Sequence, residues 1–208
     1  MISAREQILA RVRAALASLP QRAPLPDWDR DLVQSRQATP STDLWELFSQ
    51  RFSAVNGRPL TDAADVAPLL SAAGWHFGYC DPALWPLFSD VLLEPFRVET
   101  EYERSHALKY EFGITWATGA IAETGSLILT DGMTSSRLAA LAPWVHVAVV
   151  ERSSIHATIP EALEAHPRDP NIIWVTGPSK TADVEGIMIE GVHGPGVQVA
   201  LLAPGPRA

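Results

Sequence analysis

Four short apolar runs limit what this chain can fold into: Ser126–Thr130, Val145–Val150, Ile172–Thr176 and Val197–Leu202. Each has the length of a strand, is rich in β-branched residues and is apolar at most positions. Such runs need cover on both faces. Helical spacing separates the earlier ones, at Ser135–Leu141 and Pro160–Ala165. Strands of this kind alternating with helices predict an α/β fold with a mostly parallel sheet and right-handed crossovers.

The N-terminal part reads differently. Residues 3–19 have the spacing of an amphipathic helix, with Ser3 and Glu6 placed as a capping box and Ile8, Leu9, Val12, Leu16 and Leu19 on one stripe. Four prolines, Pro20, Pro24, Pro26 and Pro40, make residues 20–42 a linker or extended segment. The boundaries expected are therefore 1–42 for a helix and Pro-rich linker, and 43–208 for the α/β domain. Helices are expected over Leu44–Val55, closed by Asn56-Gly57, over Asp62–Ala73, closed by Gly74, and over Glu101–Phe112, with a short strand at Trp75–Tyr79. The stretch from Asp81 to Thr100 carries no clear period.

Composition narrows the function. The chain has 208 residues, 47% of them hydrophobic, enough for a sizeable core. Its formal net charge of −8 disfavours nucleic acid and anionic membranes as partners, while leaving room for a local cationic pocket. A single cysteine, Cys80, cannot form an internal disulfide, and this chain alone cannot build a thiolate cage for zinc or an iron–sulfur cluster. No stretch reaches the ~20 apolar residues of a membrane span, and Arg5, Glu6, Arg11 and Arg13 interrupt any signal-peptide core. These features point to a soluble cytoplasmic protein. The six histidines lack metal-ligand spacing, and Asp183 and Glu185, two apart on a helix, would face different ways; no metal is expected. There is no G-x-G-x-x-G, H-E-x-x-H or G-x-S-x-G, and no cofactor follows from the residues.

Three loops carry chemistry. Gly177-Pro178-Ser179-Lys180-Thr181-Ala182-Asp183-Val184-Glu185-Gly186 follows an expected strand and offers two hydroxyls and a cation. A helix starting at Ala182 would add free N–H groups for an anion. The alternative is a capped helix start, with Ser179 or Thr181 as N-cap. In Gly119–Ser126, Glu123 has the chemistry of a general base or carboxylate nucleophile, and Thr124 and Ser126 could bond a phosphate or carboxylate. The alternative is a β-turn with Gly125 at positive φ. In Gly191–Gly196, glycines surround His193, a proton shuttle or an exposed turn residue. Arg137, at an expected helix start where the dipole disfavours a cation, is a further candidate anion contact, the alternative being an ordinary snorkelling surface arginine. His146, inside a strand, reads as structural, and Trp116, Trp144 and Trp174 as packing bulk.

In order along the chain, Gly113-Ile114-Thr115, Ala120–Gly125, Arg137, Pro143, Gly177–Glu185 and Gly191–Pro195 resemble the LUD-domain family, in its lactate-utilisation branch, over roughly Asp43–Leu202. Lys180 stands where that family more often has Arg, which keeps the charge and loses the planar fork. The resemblance implies a three-layer sandwich similar to the sugar-phosphate isomerase and CoA-transferase group. It implies an accessory role in oxidising L-lactate beside sister subunits that hold the iron–sulfur clusters. The site expected on this basis binds a small anionic metabolite through Thr124, Gly125, Arg137, Gly177, Ser179, Lys180, Thr181 and Asp183, with Glu123 and His193 handling protons. Two other readings stay open: a free-standing transferase or isomerase of CoA esters or sugar phosphates, and a non-enzymatic assembly or sensory module.

Overall fold

A computed structural model describes residues 3–17, 43–134, 136–166, 171–182 and 188–205. The expected linker over 20–42, Ser135 at the start of one expected helix, and Asp183 with the rest of 183–186 lie outside the described residues. The chain divides into two compact units, Met1–Arg36 and Gln37–Ala208.

In the first unit, α1 spans Ala4–Leu16. Its capping box forms as the spacing requires: Ser3 Oγ accepts from Glu6 N at 3.2 Å, and Glu6 Oε2 accepts from Ser3 N at 2.7 Å. Ile8, Val12 and Leu16 are all exposed on it.

The second unit is built on a six-stranded sheet. Its strands are β1 (Arg58–Leu60), β2 (Phe77–Cys80), β3 (Arg97–Glu99), β4 (Phe112–Trp116), β7 (Val145–Val150) and β12 (Val197–Leu202). Their spatial order is β1-β12-β7-β4-β2-β3, and every pairing is parallel. A four-stranded sheet, ordered β8-β5-β6-β9, comprises β5 (Gly119–Ile121), β6 (Ser126–Thr130), β8 (Ile155–His156) and β9 (Ile172–Val175). A hairpin of β10 (Lys180–Ala182) and β11 (Met188–Glu190) stands apart from both sheets.

The central strands alternate cleanly. Phe112, Ile114 and Trp116 of β4, Val145, Val147 and Val149 of β7, and Val199 and Leu201 of β12 share one core with α3 (Val66–Ser71) and α4 (Trp85–Phe88). Each such buried side chain contributes about 1.5–3 kcal/mol. The opposite face has small residues, Gly113, Ala148 and Ala200, so other elements come close. Here α2 (Leu44–Ala54) inserts Trp45, Phe48 and Phe52 together with Leu127 and Leu129 of β6. A Cβ on Gly113 would lie 1.9 Å from the Ala139 carbonyl oxygen of α5 (Arg137–Leu141), so this helix sits directly on the strand. On the outer side of the four-stranded sheet, Ile121 and Ile128 pack under Ala162 of α6 (Ile159–Ala165).

Three expectations are corrected. Ser126–Thr130 and Ile172–Thr176 do form strands, but they pair antiparallel to their neighbours and lie outside the parallel sheet. Their apolar residues divide between two cores, Leu127, Leu129, Ile173 and Val175 with α2 and Ile128 and Ile172 with α6, while Trp174 stays exposed. Glu101–Phe112 is not a helix. Only a 3-10 turn, Arg104–His106, forms, and Phe112 begins β4. Glu99 Oε2 fixes this stretch by accepting from Tyr110 Oη at 2.6 Å and contacting His106 Nδ1 at 3.0 Å. Glu111 Oε2 accepts from the amides of His76 and Phe77 at 2.7 and 2.9 Å. Finally, Asp62–Ala73 splits into a 3-10 turn, Ala63–Asp65, and α3.

The small-residue face also carries a buried polar ladder. Register places Gly113, His146 and Gln198 side by side. His146 Nε2 lies 2.9 Å from Thr115 Oγ1, and Nδ1 lies 2.8 Å from Gln198 Nε2. The Gln198 carboxamide meets Nδ1 with both its ends, Nε2 at 2.8 Å and Oε1 at 3.2 Å, so both ring nitrogens have a partner. Burial lowers the His146 pKa to about 4.

The folded state thus holds this ring neutral, and the unfolded chain binds more protons between pH 6.5 and about 4. His146 stabilises the fold fully above that window and loses its contribution as pH falls through it, by on the order of 3 kcal/mol. Urea unfolding across pH 7 to 4 should show this loss, with a flatter profile in His146→Gln; parallel profiles would contradict it. Gly113→Ala should cost about 1–3 kcal/mol through overpacking against α5, read as a lower urea midpoint.

Candidate functional site

Two loops distant in sequence meet at the carboxyl end of α2. The first is the β5–β6 turn, 122–125. Gly125 adopts φ +64°, and a Cβ there would lie 2.4 Å from Phe52 N. The second follows β9. Gly177 adopts φ +81°, and its Cβ would lie 2.4 Å from the Val55 carbonyl oxygen. Both positions need the left-handed backbone and the missing side chain. The end of α2 is shaped to receive them: Asn56 turns at φ +69°, and Gly57 N donates to Phe52 O at 2.8 Å.

Between the loops runs a line of hydroxyls. Thr124 Oγ1 is 2.8 Å from Ser126 Oγ, and Ser126 Oγ is 2.7 Å from Thr176 Oγ1. Ser126 is buried and Thr176 exposed, so the line leads from the interior to solvent. Lys180 reaches the same helix end: Nζ donates to Val55 O at 2.9 Å and lies 3.8 Å from Glu190 Oε1. Glu190 Oε1 also accepts from Asn56 Nδ2 at 2.7 Å. A lysine ammonium and a line of hydroxyls, carried by loops that meet the same helix end and rimmed by glycine backbone, have the chemistry of a small-anion site.

The remaining expected site residues stand in other surroundings. Glu123, half-buried, accepts from Ile159 N through Oε1 at 2.7 Å and so completes the start of α6. Arg137 Nε pairs with Asp131 Oδ1 at 2.9 Å, and Asn171 Nδ2 donates to Asp131 Oδ2 at 2.7 Å. His193 is exposed and lines a cleft of about 490 Å³ with Trp144, Lys109 and Glu111. Ser179 joins the loops: its N–H donates to Pro195 O and its carbonyl accepts from Gly191 N, both at 2.9 Å. Thr181 pairs with Ile189 inside the hairpin.

A helix beginning at Ala182 does not form, nor do Ser179 or Thr181 cap one. Lys180–Ala182 is a strand, paired antiparallel with Met188–Glu190. The strand before this loop, β9, belongs to the antiparallel sheet, so the loop does not sit at a parallel sheet's carboxyl edge. Thr176, Asn56 and Glu190 complete the cluster; the β6–β9 pairing brings Thr176 there, the end of α2 Asn56 and the β10–β11 hairpin Glu190, none of which a local motif reveals as a site. Among the described residues, no group of three or more His, Cys, Asp or Glu is arranged to hold a metal. No helix among them is long and apolar enough to cross a membrane. The Cys80 thiol is buried, and burial with the Asp81 charge pushes its pKa up, away from thiolate chemistry.

The LUD domain family model matches residues 82–202, more than half of the chain. Lactate utilization protein C of Deinococcus radiodurans is 36% identical over 121 residues, covering 55% of this chain and 55% of that protein. Lactate utilization protein C of Bacillus subtilis is 27% identical over 165 residues, covering 76% of this chain and 67% of that one. This chain thus spans about half the length of the Deinococcus protein. A crystal structure of a DUF162 family protein from Deinococcus radiodurans superposes with a TM-score of 0.54 at 22% identity, covering 77% of this chain and 96% of that one, a likeness of fold. The chain belongs to the LUD-domain family.

Proposed function

We propose that this chain serves lactate utilisation as an accessory subunit that binds a small carboxylate or phosphorylated anion where the Thr124–Ser126 turn meets the Gly177–Lys180 loop. The observation that carries this reading is the hydroxyl line Thr124–Ser126–Thr176, which ends beside the helix terminus that Lys180 reaches. Relatives named for lactate utilisation supply the metabolic setting.

In this reading the anion accepts hydrogen bonds from the hydroxyls, and Lys180 turns from Val55 O to the ligand. Exchanging a neutral carbonyl for an anionic partner strengthens the lysine's hydrogen bond. Gly125 and Gly177 keep the rim low. Any proton transfer falls to Glu123, beside Thr124 in the same turn; Arg137 is already paired with Asp131. Electron transfer would belong to sister subunits holding iron–sulfur clusters, since one buried thiol cannot ligate a cluster.

A thermal-shift titration with L-lactate, pyruvate and inorganic phosphate tests this. A ligand at 100 times its Kd adds about 2.7 kcal/mol, which raises Tm by roughly 5–10 °C for a chain of this size. The shift should vanish in Lys180→Ala and shrink in Thr176→Val. No shift with any of the three, or an equal shift in Lys180→Ala, would overturn the proposal.

A further inference from the structure

We infer that the cleft beside Trp144 is a second ligand site, for a planar heteroaromatic ring that carries an anionic group, such as the base and phosphate of a nucleotide. The cleft of about 490 Å³ lies where the central strands begin: Val145 N donates to Glu111 O, and Val197 N donates to Trp144 O. Its volume falls within the range of small-molecule sites.

The Trp144 indole is held against glycine backbone. Cβ atoms built on Gly191 and Gly196 would lie 2.4 and 2.5 Å from carbons of the ring, so the backbone of both glycines is pressed against it. The glycines around His193 thus have a packing role: they back a flat aromatic surface. Yet Trp144 remains 45% exposed, and it lines the cleft together with Trp75 and Tyr110. A backed, solvent-facing indole gains most from a flat partner stacked on its open side.

The polar groups of the cleft suit an anion at the ring's edge. Lys109 and His193 line it. Among the described residues the one lining carboxylate is Glu111, which is held by the amides of His76 and Phe77 through Oε2. Leu108, 98% exposed, and Val192, 52% exposed, also line it and supply apolar contact that a bound ring would shield from water. This site is separate from the Lys180 cluster, though the two Ser179 backbone bonds connect their loops.

Fluorescence titration of the full chain with AMP tests the inference. Adenosine, lacking the anion, and ribose 5-phosphate, lacking the ring, serve as dissected probes. AMP should quench the indole emission, adenosine should bind several-fold more weakly, and ribose 5-phosphate should give no quench. Trp144→Leu should weaken AMP by about tenfold or more. Lys109→Ala, a surface change that spares the core, should bring AMP down to the affinity of adenosine. Lys180→Ala should leave the AMP quench and its Trp144 dependence unchanged, which separates this site from the anion cluster. Absence of AMP binding at millimolar concentration to the folded wild-type chain would overturn the inference. So would binding that is indifferent to both Trp144→Leu and Lys109→Ala.

Discussion

The close approach of two glycines to the end of α2 is the contact on which the candidate site depends. Gly125 and Gly177 come from different strands of the antiparallel sheet, and each meets backbone of the same helical turn. Neither position admits a side chain, and each needs a positive φ. Because the β6–β9 pairing holds the loops side by side and the helix end receives both, the hydroxyls of Thr124, Ser126 and Thr176 fall into line. Lys180 then reaches Val55 from the hairpin. Motifs about fifty residues apart in the chain become one surface through the β6–β9 pairing, the Ser126–Thr176 hydrogen bond and packing on the same helix end.

The helix end is itself held by the sheet beneath it. Phe48 and Phe52 are fully buried between the two sheets, where Ala148 and Ala200 leave room for rings. The same economy of side chains brings α5 onto Gly113 and encloses His146 with Thr115 and Gln198. This face therefore combines close backbone contact with one satisfied polar ladder. Its partners are specific, so a register slip would leave buried hydrogen-bonding groups unpaired.

Much of this was legible in the residues. The bounds of β6, β7 and β12 follow from continuous apolar runs, and the end of α2 from Asn56-Gly57. Sheet membership was not legible, because a strand covered on both faces reads the same in a parallel or an antiparallel sheet. The Glu101–Phe112 stretch has helical spacing, yet Glu99, Tyr110 and Glu111 tie it to strand edges through non-local bonds. The Gly177–Thr181 loop suggested a helix start because Ser, Thr and Asp favour caps. Its pairing with Met188–Glu190 forms a hairpin instead. The residue types of an anion site were visible in both motifs; their meeting at α2, with Thr176 between them, required the fold. Trp144 read as bulk because nothing local shows that Gly191 and Gly196 lie against its ring.

The central claim is that the two motifs form one anion site. Diffraction from crystals of this chain soaked in L-lactate, with inorganic phosphate soaked separately, tests it most directly. The account predicts ligand density within hydrogen-bond distance of the Thr124, Ser126 or Thr176 hydroxyls, with Lys180 Nζ swung from Val55 O onto the anion. Density for both anions elsewhere, with Lys180 still on Val55 O, would contradict it.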